Sequence, residues 1–374
     1  MSEEYTSLGL MSGTSGDGVD ASIIQSNGEN KYNVINDKFF EYDSTIYRDI
    51  HNLKEKINNK KGLKLLSREL NELERKITLF HAKVVKEVEH NKLIDVVGFH
   101  GQTIYHNSQE KISNQLGDGN LLAQLTKKNI IYNFRRNDIN NGGEGAPLTP
   151  IFHQLLATKF NLDLPTCIMN IGGISNITII DEPTGTYSFT SRDIGPGNCL
   201  IDSWLRKNSK FKFDQDGLLA SKGSSNEIIL EQAQDLFSNR PNQNKLSFDV
   251  SDFDVSFARG LSLEDGAATL TDFTGRIIGT ALSYHLSHSK KKSLRVLVCG
   301  GGRKNKSLIE EIKKNTLKNI FIQSIDDYGI NGDFVESQAF AFLAIRSLLR
   351  LPISFPKTTG CIKPCLGGEL IKSN

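Results

Sequence analysis

The stretch LGLMSGTSGDGVDASII, residues 8–24, decides the reading of the chain. A short apolar run, LGL, meets the polar, glycine-rich turn MSGTSGDG and returns as an alternating segment, VDASII, which is the pattern of a β-hairpin with a polar tip. About 160 residues further on, Thr166 to Ile180 shows the same design, with two apolar strands turning at Gly172 and Gly173. The two hairpins differ in sequence, so they read as one architectural idea used twice.

Between them the spacing predicts a long amphipathic helix over Leu63–His90 and a buried strand over Ile94–Phe99 that ends at His100, Gly101, Gln102 and Thr103. A helix near Leu121–Lys128, a strand over Ile130–Phe134 and the loop NGGEGAP, residues 141–147, follow. Beyond the second hairpin come a helix opening near Pro196, a helix over Ala267–Ser287, a strand over Leu294–Cys299 running into Gly300–Gly302, and a final apolar helix over Phe334–Leu349. At 374 residues the chain exceeds the size of one hydrophobic core, so two domains around a ligand cleft are expected. The first is placed over residues 1–148 plus 352–374 and the second over 149–351.

Composition narrows the function. Hydrophobic residues make up 38% and charged residues 24%, and the net charge is +2, so no global field draws the chain to nucleic acid or anionic membrane. The run Lys290, Lys291, Lys292 reads as a solvated loop. No apolar run approaches the length of a membrane span, and a cytoplasmic location is expected. Five scattered cysteines do not make a disulfide framework, and Cys361 and Cys365, four apart without a second ligand pair, read as free thiols.

Phosphate binding needs main-chain N–H groups converging on one spot, which glycine permits because it has no Cβ. Three loops meet that need: Ser12–Gly18, Asn170–Asn176 and Gly300–Gly302. Each alone is equally an ordinary turn. None carries the GxxxxGK[ST] pattern or a full GxGxxG fingerprint, which removes the two commonest nucleotide folds. A carboxylate beside phosphates, here Asp17, is a natural holder of Mg2+.

Taken in order, MSGTSGDGVD (11–20), HGQT (100–103), FRRNDINNGGEGAPL (134–148), NIGGISNIT (170–178), DIGPGN (193–198), CGGG (299–302), the helix from Glu336 to Leu343 and LPISFPKTTG (351–360) resemble the successive motifs of the anhydro-N-acetylmuramic acid kinases. These belong to the actin, hexokinase and Hsp70 superfamily. The resemblance implies a two-lobed α/β fold of the actin-like ATPase, ribonuclease H-like type with an interdomain cleft. It implies ATP and Mg2+ as cofactors, and hydrolytic opening of the 1,6-anhydro bridge of the sugar with transfer of the γ-phosphoryl group to O6. By the same resemblance Asp193 is the base that deprotonates the attacking water. Gly13, Thr14, Ser15, Gly16, Asp17, Gly18, Val19 and Asp20, with Gly172, Gly173 and Asn176, hold the phosphates, while Gly300, Gly301 and Gly302 hold the adenosine. His100, Gln102, Arg135, Asp138 and Glu336 are assigned to the sugar, and the family's members imply a homodimer.

The residues alone leave alternatives open. Asp193, at a Gly-Pro turn before a helix, is equally a helix cap. Arg135 and Arg136 suit a carboxylate clamp or plain surface, His100 is equally a structural histidine, and Glu336 either caps its helix or faces the cleft. Two departures bear on specificity: Gly16 stands where the family has leucine, removing an apolar anchor, and Glu144 stands where it has glutamine. The same fold acting on a different sugar, or binding ATP without catalysis, are the competing readings.

Overall fold

The computed structural model describes residues 3–89, 93–182, 187–239, 246–289 and 291–373. Its strands are β1 Tyr5–Ser12, β2 Gly18–Ser26, β3 Tyr32–Glu41, β4 Val96–Asn107, β5 Ile112–Leu116, β6 Ile130–Tyr132, β7 Thr166–Ile171, β8 Ile174–Ile180, β9 Phe189–Pro196, β10 Leu294–Cys299, β11 Ile320–Ser324 and β12 Glu369–Ile371. Its α-helices are α1 Ser44–Lys56, α2 Lys60–Leu65, α3 Ser67–Glu89, α4 Gly119–Thr126, α5 Arg136–Asn140, α6 Pro150–Lys159, α7 Cys199–Asn208, α8 Glu227–Ser238, α9 Leu263–Ser287, α10 Lys306–Lys314, α11 Val335–Leu348 and α12 Pro356–Thr359. His90 and Lys290 lie outside the described residues. No helix among the described residues is long and apolar enough to cross a membrane.

The strands form two sheets, ordered β12-β6-β4-β1-β2-β3, with β5 beside β4, and β11-β10-β7-β8-β9. In each, an antiparallel hairpin, β1–β2 or β7–β8, is continued on its first strand by a parallel neighbour, β4 or β10. The expected repetition of one design is therefore present as topology, with the same strand order built twice into a mixed α/β fold.

The chain divides into two compact units. One comprises residues 1–163, 183–191 and 334–374, and the other 164–182 and 192–333. This division departs from the boundary read from sequence, because α6 and α11 join the first unit. The reason for α11 is a pair of glycines. A Cβ on Gly9 would lie 1.9 Å from the Ser337 carbonyl oxygen, and one on Gly98 would lie 2.4 Å from that of Phe340. The backbone of α11 thus rests directly on β1 and β4, and the helix is buried on nearly every face. A separate core cluster of the first unit gathers Leu8, Leu10, Val19, Ile23 and Phe99 of the sheet with Leu73, Ile77 and Val85 of α3 and Leu122 of α4.

In the second unit Cys167, Met169, Ile171, Val296 and Val298 pack with Ile278 and Leu282 of α9 and with Leu308 and Ile312 of α10. There too glycine sets the spacing: a Cβ on Gly279 would sit 2.6 Å from the Asn315 carbonyl oxygen. A second cluster gathers around Trp204, Leu205 and Leu270.

The polar tetrad His100–Thr103 does not follow a strand, as its sequence suggests, but lies inside β4. The pairing with β1 skips His100, running from Leu10↔Phe99 to Met11↔Gly101, and Gly101 takes φ +74° at this bulge. The strand then continues by pairing with β5.

Two stability predictions follow from this packing. Gly98→Ala forces a methyl group against the α11 backbone and is expected to cost about 1–3 kcal/mol. An unchanged urea midpoint would refute that contact. Burial holds His81 down to about 4 and His153 down to about 3. Below the ordinary histidine value the unfolded chain binds protons that the folded one refuses, so stability falls with falling pH until these folded values are reached. From His81 alone the loss is on the order of 3 kcal/mol. Urea midpoints near pH 7 and near pH 4, for the wild type and for His81→Gln, test this, and equal slopes in the two proteins would contradict it.

Candidate functional site

The first unit carries the first glycine loop, which the β1–β2 ladder presents at its open end. Gly16 takes φ +63° and donates its N–H to the Gly13 carbonyl at 3.2 Å, closing the turn. Three side chains hold the loop. Gln102 Nε2 donates to the Gly13 carbonyl at 2.8 Å, Lys54 Nζ of α1 donates to the Thr14 carbonyl at 2.9 Å, and Ser15 Oγ donates to Asp17 Oδ1 at 2.5 Å. Behind it Ser12 Oγ meets the Tyr42 hydroxyl at 2.8 Å and His81 Nε2 at 3.3 Å, while His81 Nδ1 lies 2.8 Å from the Ile77 carbonyl. With Nδ1–H spent on Ile77, Nε2 is the acceptor, so a neutral histidine anchors the last residue before the loop.

Two expectations change at this loop. Gly16 does not leave it slack, since Ile50 Cγ2 of α1 lies 2.9 Å from where a Cβ would stand and fills the place of the missing anchor. Val19 is fully buried and paired within the sheet, so its side chain belongs to the core. Gln102, which holds the loop through its Nε2, has its Oε1 buried without a partner among the described residues.

The same unit holds Arg135. Its Nη2 and Nε lie 2.9 and 3.3 Å from His100 Nε2, and its Nη1 donates to the Gly145 carbonyl at 2.8 Å. His100 Nδ1 lies 2.7 Å from the Gly101 carbonyl, and its ring packs on Phe340 at 4.5 Å. Burial, reinforced by the Arg135 charge, pushes its pKa well below the usual value, so His100 is neutral and accepts from the guanidinium. It is a support for Arg135. Arg136, by contrast, is exposed and pairs with Glu369 at 3.1 Å, which is its surface alternative realised.

Asp138 is 1% exposed. Its Oδ2 accepts from the Gly145 N–H at 2.8 Å and its Oδ1 from Thr359 Oγ1 at 2.7 Å, so it organises the glycine loop 142–145. A Cβ on Gly143 would collide with this carboxylate at 2.2 Å. Glu144 donates its N–H to the Thr359 carbonyl at 2.8 Å. Glu336 lies half-buried in the first turn of α11, where a carboxylate complements the helix N-terminus.

The second unit brings the other two loops together at the C-terminal ends of adjacent parallel strands, where Cys299 of β10 pairs with Asn170 of β7. The carbonyl of Gly173 accepts from the Gly197 N–H and that of Gly172 from the Asn198 N–H, both at 2.8 Å. A Cβ on Gly197 would lie 2.3 Å from the Gly172 oxygen. Gly300, at φ +78°, donates to the Gly332 carbonyl at 2.9 Å, and a Cβ there would lie 2.2 Å from Asn170 Oδ1. Gly301 has open space around its Cβ direction. Arg303 braces this loop, donating to the Gly300 carbonyl at 3.1 Å and pairing with Asp326 and Asp333 at 2.6 Å each. Asn176 faces Asn170 across β7–β8, and its Oδ1 is buried without a partner among the described residues.

Asp193 lies on strand β9, not at a turn before a helix, and α7 begins only at Cys199 with Asn198 as its cap. The capping alternative is thereby removed. The residue is 6% exposed, its Oδ2 accepts from the Phe248 N–H at 2.7 Å, and its own N–H donates to the Leu246 carbonyl at 2.8 Å. Sequence reasoning missed Lys54, His81 and Tyr42, because each acts on a loop distant in the chain and stands in no motif, and Arg303, whose partners Asp326 and Asp333 are distant although the Gly300 carbonyl it holds is three residues away.

Comparison with known proteins agrees with these motifs. The family model described as anhydro-N-acetylmuramic acid kinase matches residues 5–373. A protein of that name from Pelagibacter ubique (strain HTCC1062) is 56% identical over 375 residues, covering 100% of both chains. One from Zymomonas mobilis subsp. mobilis (strain ATCC 31821 / ZM4 / CP4) is 37% identical over 372 residues, covering 97% of this chain and 98% of its own. One from Agrobacterium fabrum (strain C58 / ATCC 33970) is 37% identical and fully covered on both sides. On these grounds the chain belongs to the anhydro-N-acetylmuramic acid kinase family.

Proposed function

We propose that the protein uses ATP and water to convert 1,6-anhydro-N-acetylmuramic acid into N-acetylmuramic acid 6-phosphate, a step of cell-wall recycling in the cytoplasm, and that it works as a homodimer. The observation that carries the assignment of roles is Asp193: a buried carboxylate whose one oxygen is held by the Phe248 N–H, so that its direction is set by the backbone. A base fixed in this way suits abstraction of a proton from water.

In the proposed reaction the water oxygen bonds to the anomeric carbon, its proton passes to Asp193, and the bond from that carbon to O6 breaks. O6 then takes the γ-phosphoryl group and ADP departs. The phosphates are assigned to the N–H groups of the Gly13–Gly18 turn and of Gly172–Gly173, and the adenosine to Gly300–Gly302. Such loops act by positioning and charge neutralisation. Asp17 fits a Mg2+ role, because Ser15 engages one carboxylate oxygen of this half-buried residue beside the turn. The ion would neutralise phosphate charge there. Arg135, oriented by neutral His100 and the Gly145 carbonyl, is assigned to the lactyl carboxylate. Gln102 and Asp138 are assigned to shaping the loops around these groups, and Glu336 to the sugar.

A coupled assay of ADP release with 1,6-anhydro-N-acetylmuramic acid, set against other anhydro and open amino sugars, tests the assignment. Release with the muramic substrate above all others is expected, and preference for another sugar by orders of magnitude would replace it. Asp193→Asn keeps the shape but removes the base, and kcat is expected to fall about 10²–10⁴-fold with ATP affinity retained. Normal turnover by that variant would exclude Asp193 as the base.

A further inference from the structure

The segment Cys361-Ile-Lys-Pro-Cys365 offers two sulfurs at a spacing used by metal-binding pairs, yet its sequence neighbourhood holds no third ligand. The fold supplies one from more than 200 residues away. Asp138 of α5 meets the two thiols, and the Sγ atoms of Cys361 and Cys365 and a carboxylate oxygen of Asp138 all lie within 4.8 Å of one another. All three residues are buried, at 2%, 4% and 1% exposure. We propose that Cys361, Cys365 and Asp138 form a binding site for a thiophilic divalent cation of the Zn2+ type.

Three observations support the site. First, Asp138 is a buried carboxylate that accepts one N–H and one hydroxyl hydrogen bond and has no ion-pair partner among the described residues. Burying such a charge without a counter-charge is costly, and a cation offsets that cost. Second, the charge balance is favourable. Both thiols release their protons to solvent as two cation–sulfur bonds form, so two positive charges replace two protons and the net charge of the site does not change. Third, access is short, because Ile362, Lys363 and Pro364 between the two cysteines are all exposed.

Mixed sulfur and carboxylate ligation of this kind suits Zn2+ in tetrahedral geometry, three protein ligands leaving one position for solvent. Thr359 and Gly145 hold the carboxylate, and the Glu144 N–H to Thr359 carbonyl and Ile362 N–H to Asn141 carbonyl bonds tie the tail to the glycine loop. A bound cation would clamp the C-terminal tail onto the glycine loop whose Gly145 carbonyl accepts from Arg135.

The test uses the reduced, chelator-treated full-length protein titrated with Co2+. Saturable binding with a sulfur-to-cobalt charge-transfer band and d–d bands of tetrahedral intensity is expected, reversed by added Zn2+. The charge-transfer band is expected to disappear in Cys361→Ser/Cys365→Ser, and the d–d pattern to change in Asp138→Asn. Alkylation read by mass spectrometry needs no variant: Zn2+ is expected to slow modification of Cys361 and Cys365 at least tenfold and to leave Cys167, Cys199 and Cys299 unaffected. The proposal is overturned if the reduced wild type gives no charge-transfer band, if the band survives in a folded double variant, or if Zn2+ gives the tail cysteines no protection.

Discussion

The molecule depends on main chain meeting main chain at closer range than any Cβ allows. At Gly9 and Gly98 the sheet of the first unit accepts the backbone of α11. At Gly197 and Gly300 the loops of the second unit lie on the carbonyls and side chains of the β7 end. These contacts matter because a phosphate-binding loop works through its N–H groups, which must be aimed before the ligand arrives. Where neighbouring backbone absorbs the carbonyls, as Gly197 and Asn198 absorb those of Gly173 and Gly172, the loop is held in place by main chain.

The two units solve the same problem with different side chains. The first loop is held by Gln102, Lys54 and the buried Ser12–Tyr42–His81 group, whereas the third is held by Arg303 between Asp326 and Asp333. Both devices act on loop carbonyls: those of Gly13 and Thr14 in the first loop and that of Gly300 in the third. A neutral buried histidine serves twice, once behind Ser12 and once behind Arg135, and in each case one ring nitrogen is spent on a backbone carbonyl so that the other becomes an acceptor. Burial is the main cause that keeps these rings neutral.

The Gly16 and Glu144 departures also acquire a physical meaning. Gly16 is compensated by Ile50, so the turn keeps an apolar neighbour although it lacks a side chain of its own. Glu144 is bound through its N–H to the tail at Thr359, which makes the C-terminal segment part of the same loop system as Arg135 and Asp138.

Much was legible in the linear sequence because it is local. The two hairpins, the strand over Leu294–Cys299, the final helix and the ordered motifs that identify the family all rest on short-range periodicity, turn chemistry and residue identity. Tertiary structure alone decided the rest. It assigned α11 to the first unit through glycines on two strands, carried the His100–Thr103 tetrad into a strand by way of a bulge at Gly101, and placed Asp193 on β9 against Phe248 instead of at a helix cap. It also joined His100 to Arg135, Gln102 to the Gly13 carbonyl, and Asp138 to Cys361 and Cys365. The physical reason is common to all of these: a hydrogen bond, a close backbone approach or a ligand set is a relation between residues far apart in the chain, and composition and periodicity carry no record of which distant partner completes it.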